Sequence, residues 1–306
     1  MRWNNMQNSS GASGHSLIEI QPWRDWVSVT KPGILASNLF CTFAGYCLAS
    51  RLKFDDLTLI FILFGTTLVV AAASMLNNFL DRVRDLKMER TRVRPLPSRR
   101  LKPRNVLIVG IITGFVGLAT LYIFVNPLSA SLGFIGLFVY VVIYTAWLKP
   151  TSTWSTSIGG ISGSMPPMIG YCGFSNELEL GAWLLFLFLF LWQPPHFWSL
   201  GILKKEEYRA AGYPLLPVIK GVYRTKIQML PYVVSLFFVN YLLFDYNYVG
   251  VGYLIVSGAL LIIWLIACLH GLITKNEARW ASNNFRLSLY FLTFSLLMMI
   301  FEIALF

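Results

Sequence analysis

The chain reads as an all-α integral membrane protein that crosses the bilayer nine times, with its N-terminus cytoplasmic. Three observations predict this. Of 306 residues, 56% are hydrophobic and 13% charged, about half the charged share of a soluble domain. Apolar segments of the roughly 17–25 residues that span a bilayer recur along the chain, and mean hydropathy is +0.61. In a nine-span layout, 23 of the 25 Lys and Arg fall on one side. The net charge of +11 is therefore expected to mark cytoplasmic loops and not a nucleic-acid-binding surface.

Taken in order, residues 1–21 are rich in Ser, Asn and Gly and are expected to be a mobile tail before a single transmembrane domain, 22–306. No cleavable signal peptide is read, because the first long apolar run starts near Ile34. The segment from Pro22 to Thr30 sets Trp23, Trp26 and Val27 beside Arg24 and Asp25. That pattern suits an amphipathic interfacial segment or a short linker with aromatic anchors. Lys31-Pro32 opens the first span. The nine spans are expected near 33–50, 57–80, 105–125, 128–148, 155–174, 181–202, 228–245, 249–273 and 285–305. Span seven is interrupted by Pro231. Only Arg51 and Lys53 fall on the outer side, and shifting the frame by one span reverses the asymmetry. Cys41, Cys47, Cys172 and Cys268 show no CxxC spacing, so they read as small core residues.

Chemistry concentrates in two stretches of this cytoplasmic side. The first runs from Asn77 to Arg104. Asn77, Asp81 and Asp85 recur at four-residue spacing, which lines them along one helix face about 6 Å apart. Carboxylates so close repel unless a cation lies between them. A hard cation such as Mg²⁺ takes one or two carboxylates and completes its shell with water and phosphate oxygens. Asn78 lies beside this stripe, and polar residues inside a span point to function. A run of arginines follows, including Arg82, Arg90 and Arg94, and guanidinium grips phosphate in a bidentate way. The plainer reading pairs the carboxylates with Arg82, Arg84 or Lys87 and gives the arginines to anionic lipid.

The second stretch is Trp192-Gln193-Pro194-Pro195-His196, followed by Lys204, Lys205, Glu206 and Glu207. The proline pair is expected to break or kink span six and free carbonyls to line a cavity. Gln193 and His196 share a face. Lys204 and Lys205 suit phosphate or ordinary cytoplasmic anchoring. Between the two stretches, Tyr144 lies about one turn inside the end of span four, near Lys149. Gly159, Gly160 and Gly163 are expected to serve close helix packing.

The segment NNFLDRVRDLKMERTRVRPLPSRRL resembles the signature of protoheme IX farnesyltransferases, a branch of the UbiA superfamily of intramembrane prenyltransferases. YTAWLKPTSTWSTSIGGISGSMPPMIGY and WQPPHFWSLGILKKEEYRAAGYPLLPV are similar to later blocks of that branch, so the resemblance covers nearly the whole chain. Departures are Val83, where the family often has Asp, Pro150 and Ser155, where it has Arg and Asn, and Glu207 in place of Asp. The resemblance implies a UbiA-type bundle around an intramembrane cavity in the cell membrane, with the active site facing the cytoplasm. It implies transfer of the farnesyl group of farnesyl diphosphate to a vinyl of haem b, giving haem O for respiratory oxidases. Asn77, Asp81 and Asp85 would hold Mg²⁺. Asn78, Arg82, Arg90, Arg94, Lys149, Gln193, His196, Lys204, Lys205 and Glu207 would bind substrate, and Tyr144 would assist ionisation. A haem A-forming enzyme is a further implied partner. Two other readings stay open: an aromatic prenyltransferase of quinone synthesis, and a transporter with broken helices around its binding site.

Overall fold

The computed structural model describes residues 22–305, so the expected tail lies outside the described residues. Every regular element among them is helical. A short helix, α1 (Pro22–Val29), precedes α2 (Pro32–Ser50), α3 (Asp56–Asp85) and α4 (Pro103–Phe124). Next comes α5 (Pro127–Phe138), which continues through a π-helix (Val139–Leu148) into α6 (Lys149–Thr151). After α7 (Ser155–Gly163) and α8 (Met165–Ser175), the long α9 (Leu180–Leu203) leads to two short helices, α10 (Lys205–Ala210) and α11 (Leu216–Ile219). Three long helices close the bundle: α12 (Val222–Asp245), α13 (Val251–Ile273) and α14 (Glu277–Ile303).

Eight of these segments are continuous, long and apolar enough to cross a membrane, counting Pro127–Thr151 as one. The expected fifth span differs, because it is two short helices meeting at Ser164. Met165-Pro166-Pro167 explains the break, since proline is tolerated in a helix's first turn and not in its interior. Two other expected breaks at proline are corrected. α9 runs unbroken through Pro194 and Pro195, and α12 runs through Pro231 from a start at Val222. Tertiary packing holds both helices across missing amide donors, as neighbouring helices do in membrane bundles. The ends also move: α3 extends to Asp85 and α14 starts at Glu277.

Packing follows apolar faces and small residues. α3 lies against α4, and α2 against α8. The second contact is unusually close. A Cβ on Gly170 would sit 1.9 Å from the Thr42 carbonyl oxygen, and one on Gly45 would sit 2.1 Å from that of Pro167. α1 has the two-sided character its sequence suggests. Trp23 and Val27 are exposed, while Val29 is buried against Ala71, Met75, Leu96, Leu101 and Val106. Its Asp25 accepts from Arg100 Nε at 3.0 Å, which ties α1 to the loop between α3 and α4.

Candidate active site

Two distant segments converge on the end of α3. The segment after α9 folds over the loop that leaves α3, and Met88 is buried against Ala211, Tyr213 and Leu215. The α1–α2 elbow reaches the same place through Lys31, whose backbone is left-handed at φ 56°. For a residue with a Cβ that conformation is strained.

Asp81 and Asp85 are almost fully buried, at 2% and 1% exposure. Asp81 Oδ2 accepts from Lys149 Nζ at 2.5 Å and from Asn77 Nδ2 at 3.0 Å. Its other oxygen, Oδ1, accepts from the Tyr213 hydroxyl at 2.8 Å. Asp85 Oδ2 accepts from Arg94 Nη1 at 2.8 Å. Asn77 also donates to Thr145 Oγ1 at 3.1 Å, and its Oδ1 accepts from Lys31 Nζ. The expected alternative partners, Arg82, Arg84 and Lys87, are therefore not those of the carboxylates. Burial, with Arg94 and Lys149 close by, pushes the Lys31 ammonium down to about 7. Burial likewise pushes the Tyr213 phenol up, so it stays a donor to Asp81.

The π-helix decides how Lys149 arrives. A π-helix bonds each amide to the carbonyl five residues back, and here the Lys149 amide donates to the Tyr144 carbonyl, which brings the two residues nearer one face. In an α-helix at 3.6 residues per turn they would point about 140° apart. The Lys149 ammonium lies 4.8 Å from the Tyr213 ring centroid and 5.9 Å from that of Tyr144. These are cation–π distances.

Lys149 also lines a cavity of about 370 Å³ in the bundle. Its walls are mostly apolar, with Val69 and Val70 from α3, Tyr140 and Tyr144, and Leu189 and Trp192 from α9. Gln193 and His196 line it too. The His196 ring is stacked between Trp192 and Phe285, each with centroids 4.4 Å away. Its Nδ1 is 2.7 Å from Ser288 Oγ. Gln193 Nε2 donates to the Gly160 carbonyl at 3.0 Å and to Ser164 Oγ at 3.2 Å, so it clamps the break between α7 and α8.

Several sequence-predicted residues stand apart from this cluster. Asn78 donates to the Val29 and Ser74 carbonyls and so anchors α1. Arg82 stacks on Phe79, 4.2 Å from its centroid. Arg90 is exposed in the loop after α3. Lys204 pairs with Glu207 at 2.9 Å, and Lys205 is half-buried on α10. Sequence reasoning missed Lys31, Thr145 and Tyr213. Lys31 and Tyr213 each precede a proline, Tyr213 within a quoted motif, but proline adjacency is no sign of an ionic contact.

The residues present suit a hard divalent cation. Asn77, Asp81 and Asp85 offer oxygen donors, and all of them already face positive charge or N–H donors. A cation entering here would displace Lys31, Lys149 and Arg94 from those oxygens.

A family model described as the UbiA prenyltransferase family matches residues 38–293. The chain belongs to the UbiA prenyltransferase family. Among UbiA relatives, the protoheme IX farnesyltransferase of Alkalihalophilus pseudofirmus is 41% identical over 290 residues, covering 92% of this chain and 91% of that one. Protoheme IX farnesyltransferase 1 of Bacillus subtilis is 40% identical over 289 residues, covering 90% and 89%. The UbiA fold is also seen in two solved structures. A digeranylgeranylglyceryl phosphate synthase superposes with a TM-score of 0.79 at 19% identity, covering 93% of this chain and 99% of that one. A UbiA homolog from Archaeoglobus fulgidus bound to GPP and Mg²⁺ superposes with a TM-score of 0.63 at 14% identity, covering 90% and 99%.

Proposed function

We propose that this protein transfers the farnesyl group of farnesyl diphosphate to a vinyl group of haem b, forming haem O. One observation carries the site assignment. Lys149 both bonds a buried carboxylate, Asp81, and lines an apolar cavity, so a diphosphate and its prenyl tail can be held at one junction. The haem acceptor is supported by relatives of that name along some nine-tenths of the chain. It is supported too by the His196 ring on the cavity wall.

Mg²⁺ held by Asn77, Asp81 and Asp85 would supply Lewis-acid neutralisation of the leaving diphosphate. Lys149, Arg94 and Lys31 add positive charge where negative charge develops. The C1–O bond to diphosphate breaks, and the allylic cation is sheltered from water by the cavity wall, including Tyr140 and Tyr144. The vinyl of haem b forms the new C–C bond, and water adds to the other vinyl carbon, releasing a proton. Ser288 holds His196 Nδ1, which leaves Nε2 to face the haem iron of the substrate. Tyr144 lies beside Lys149, where its hydroxyl would orient water or assist ionisation.

The cation-rich ends of the spans face the cytoplasm in this reading, which puts the N-terminus inside and the protein in the cell membrane. A haem A-forming enzyme is the expected consumer of the product. The test uses purified protein with farnesyl diphosphate, Mg²⁺ and haem b, with products identified by mass. Haem O should form, and Asp81→Asn and Asp85→Asn should each nearly abolish it. Prenylation of a quinone precursor with no haem product would move the protein to another branch of the family. Diphosphate intact with every acceptor would reject prenyl transfer.

A further inference from the structure

We propose that Lys149 and Arg94 act as guards of the metal site: they occupy Asp81 and Asp85 until a diphosphate arrives, then exchange the carboxylates for its oxygens, so the site takes a metal–diphosphate complex and rejects the metal alone. This deepens the prenyl-diphosphate reading and rests on it. Three contacts carry the argument. The carboxylates are buried and each is held by a cation, at 2.5 Å and 2.8 Å. A third amine, Lys31, donates to the amide oxygen of Asn77. The two ion pairs leave the cluster with no net negative charge, and Lys31 adds none.

That neutrality decides the order of preference. A divalent cation entering alone would leave the cluster with an excess of positive charge. It would also push Lys149 and Arg94 off their carboxylates with no other anion to receive them. Stranding a cation as little exposed as Lys149 is strongly unfavourable. A diphosphate ester with its metal is anionic and brings no such excess. It also offers both displaced side chains phosphate oxygens, which guanidinium and ammonium groups bind well. Asp81 can release Lys149 without being left bare, since Tyr213 and Asn77 still donate to it. Lys149 has a short way to move, because it already borders the cavity.

The probes are Mn²⁺ alone and Mn²⁺ with farnesyl thiolodiphosphate, an analogue that resists ionisation, followed by isothermal titration on the full chain in detergent. The analogue should raise Mn²⁺ affinity of the native protein at least tenfold. Lys149→Met should bind Mn²⁺ alone at least tenfold more tightly than the native protein while binding the analogue more weakly. Arg94→Gln, at a part-exposed position, should shift both affinities in the same directions and serves if Lys149→Met does not fold. A purely structural role for Lys149 would weaken both affinities together and overturn the proposal. So would equal Mn²⁺ affinity of the native protein with and without the analogue. If the native protein binds no analogue under any metal condition, the prenyl-diphosphate reading itself fails.

Discussion

Asp81→Asn removes one negative charge from a buried cluster. The Lys149 side chain is 13% exposed and that of Asp81 4%, so little water reaches the pair. Breaking such a pair from one side costs about 3–5 kcal/mol, because the remaining charge is left uncompensated. The remaining lysine has an escape, which is to lose its proton. Neutralising a lysine of ordinary pKa ~10.4 at pH 7 costs roughly 4.6 kcal/mol at about 1.36 per unit, which bounds the loss. The bound falls to roughly 1.9 kcal/mol at pH 9 by the same arithmetic. The unfolded lysine then binds more protons than the folded one, so the variant's stability should rise with pH between these values. Asp81→Asn/Lys149→Met removes both partners and should recover most of the loss, keeping only the pH slope that Lys31 gives the native protein as well. Prenyl transfer should stay at least about 10²-fold down in both variants, since a group that stabilises transition-state charge is gone. Unfolding titrations in mixed detergent micelles at pH 7 and 9, with haem O formation on the same preparations, check this. A single variant as stable as the native protein would refute the stability argument. A double variant with full activity would refute the metal-ligand role of Asp81.

Tyr213→Phe deletes the hydroxyl that holds Asp81 Oδ1 and should raise the Mg²⁺ concentration for half-maximal activity about tenfold, the equivalent of ~1.4 kcal/mol, read from a Mg²⁺ titration. Gly170→Ala drives a Cβ into the Thr42 carbonyl and should cost about 1–3 kcal/mol, whereas Gly258→Ala, with nothing within 4 Å, should be neutral or gain a few tenths. Unfolding titrations of the pair would show equal stabilities if the α2–α8 contact were looser than described. His196→Ala should alter the visible spectrum of bound haem b, and Ser288→Ala should weaken haem binding without abolishing it. An unchanged His196→Ala spectrum would exclude axial ligation.

Much of the bundle was legible because bilayer thickness imposes a length on every apolar run. The limits of α2 and α13 lie within two residues of expectation. Proline was the poorer guide. Pro194, Pro195 and Pro231 sit inside continuous helices, since neighbouring helices, not only local sequence, decide whether a missing donor is tolerated. Of the site, the Asn77–Asp81–Asp85 stripe was readable from four-residue spacing alone. Its partners were not. Lys149 depends on a π-helical register that composition does not announce, and Lys31 and Tyr213 lie 46 and 132 residues away from Asn77 and Asp81 respectively.

The sequence by itself determined that this is a helical membrane protein and that two carboxylates line one face of α3. Those properties follow from transfer free energies and helix geometry, which are local. Only the tertiary structure decided which cations meet the carboxylates, that Lys149 joins them to the cavity, and that Asn78 and Arg82 turn elsewhere. Ionic contacts are made through space, and a charge's partner is whichever group the packing of distant helices brings within reach.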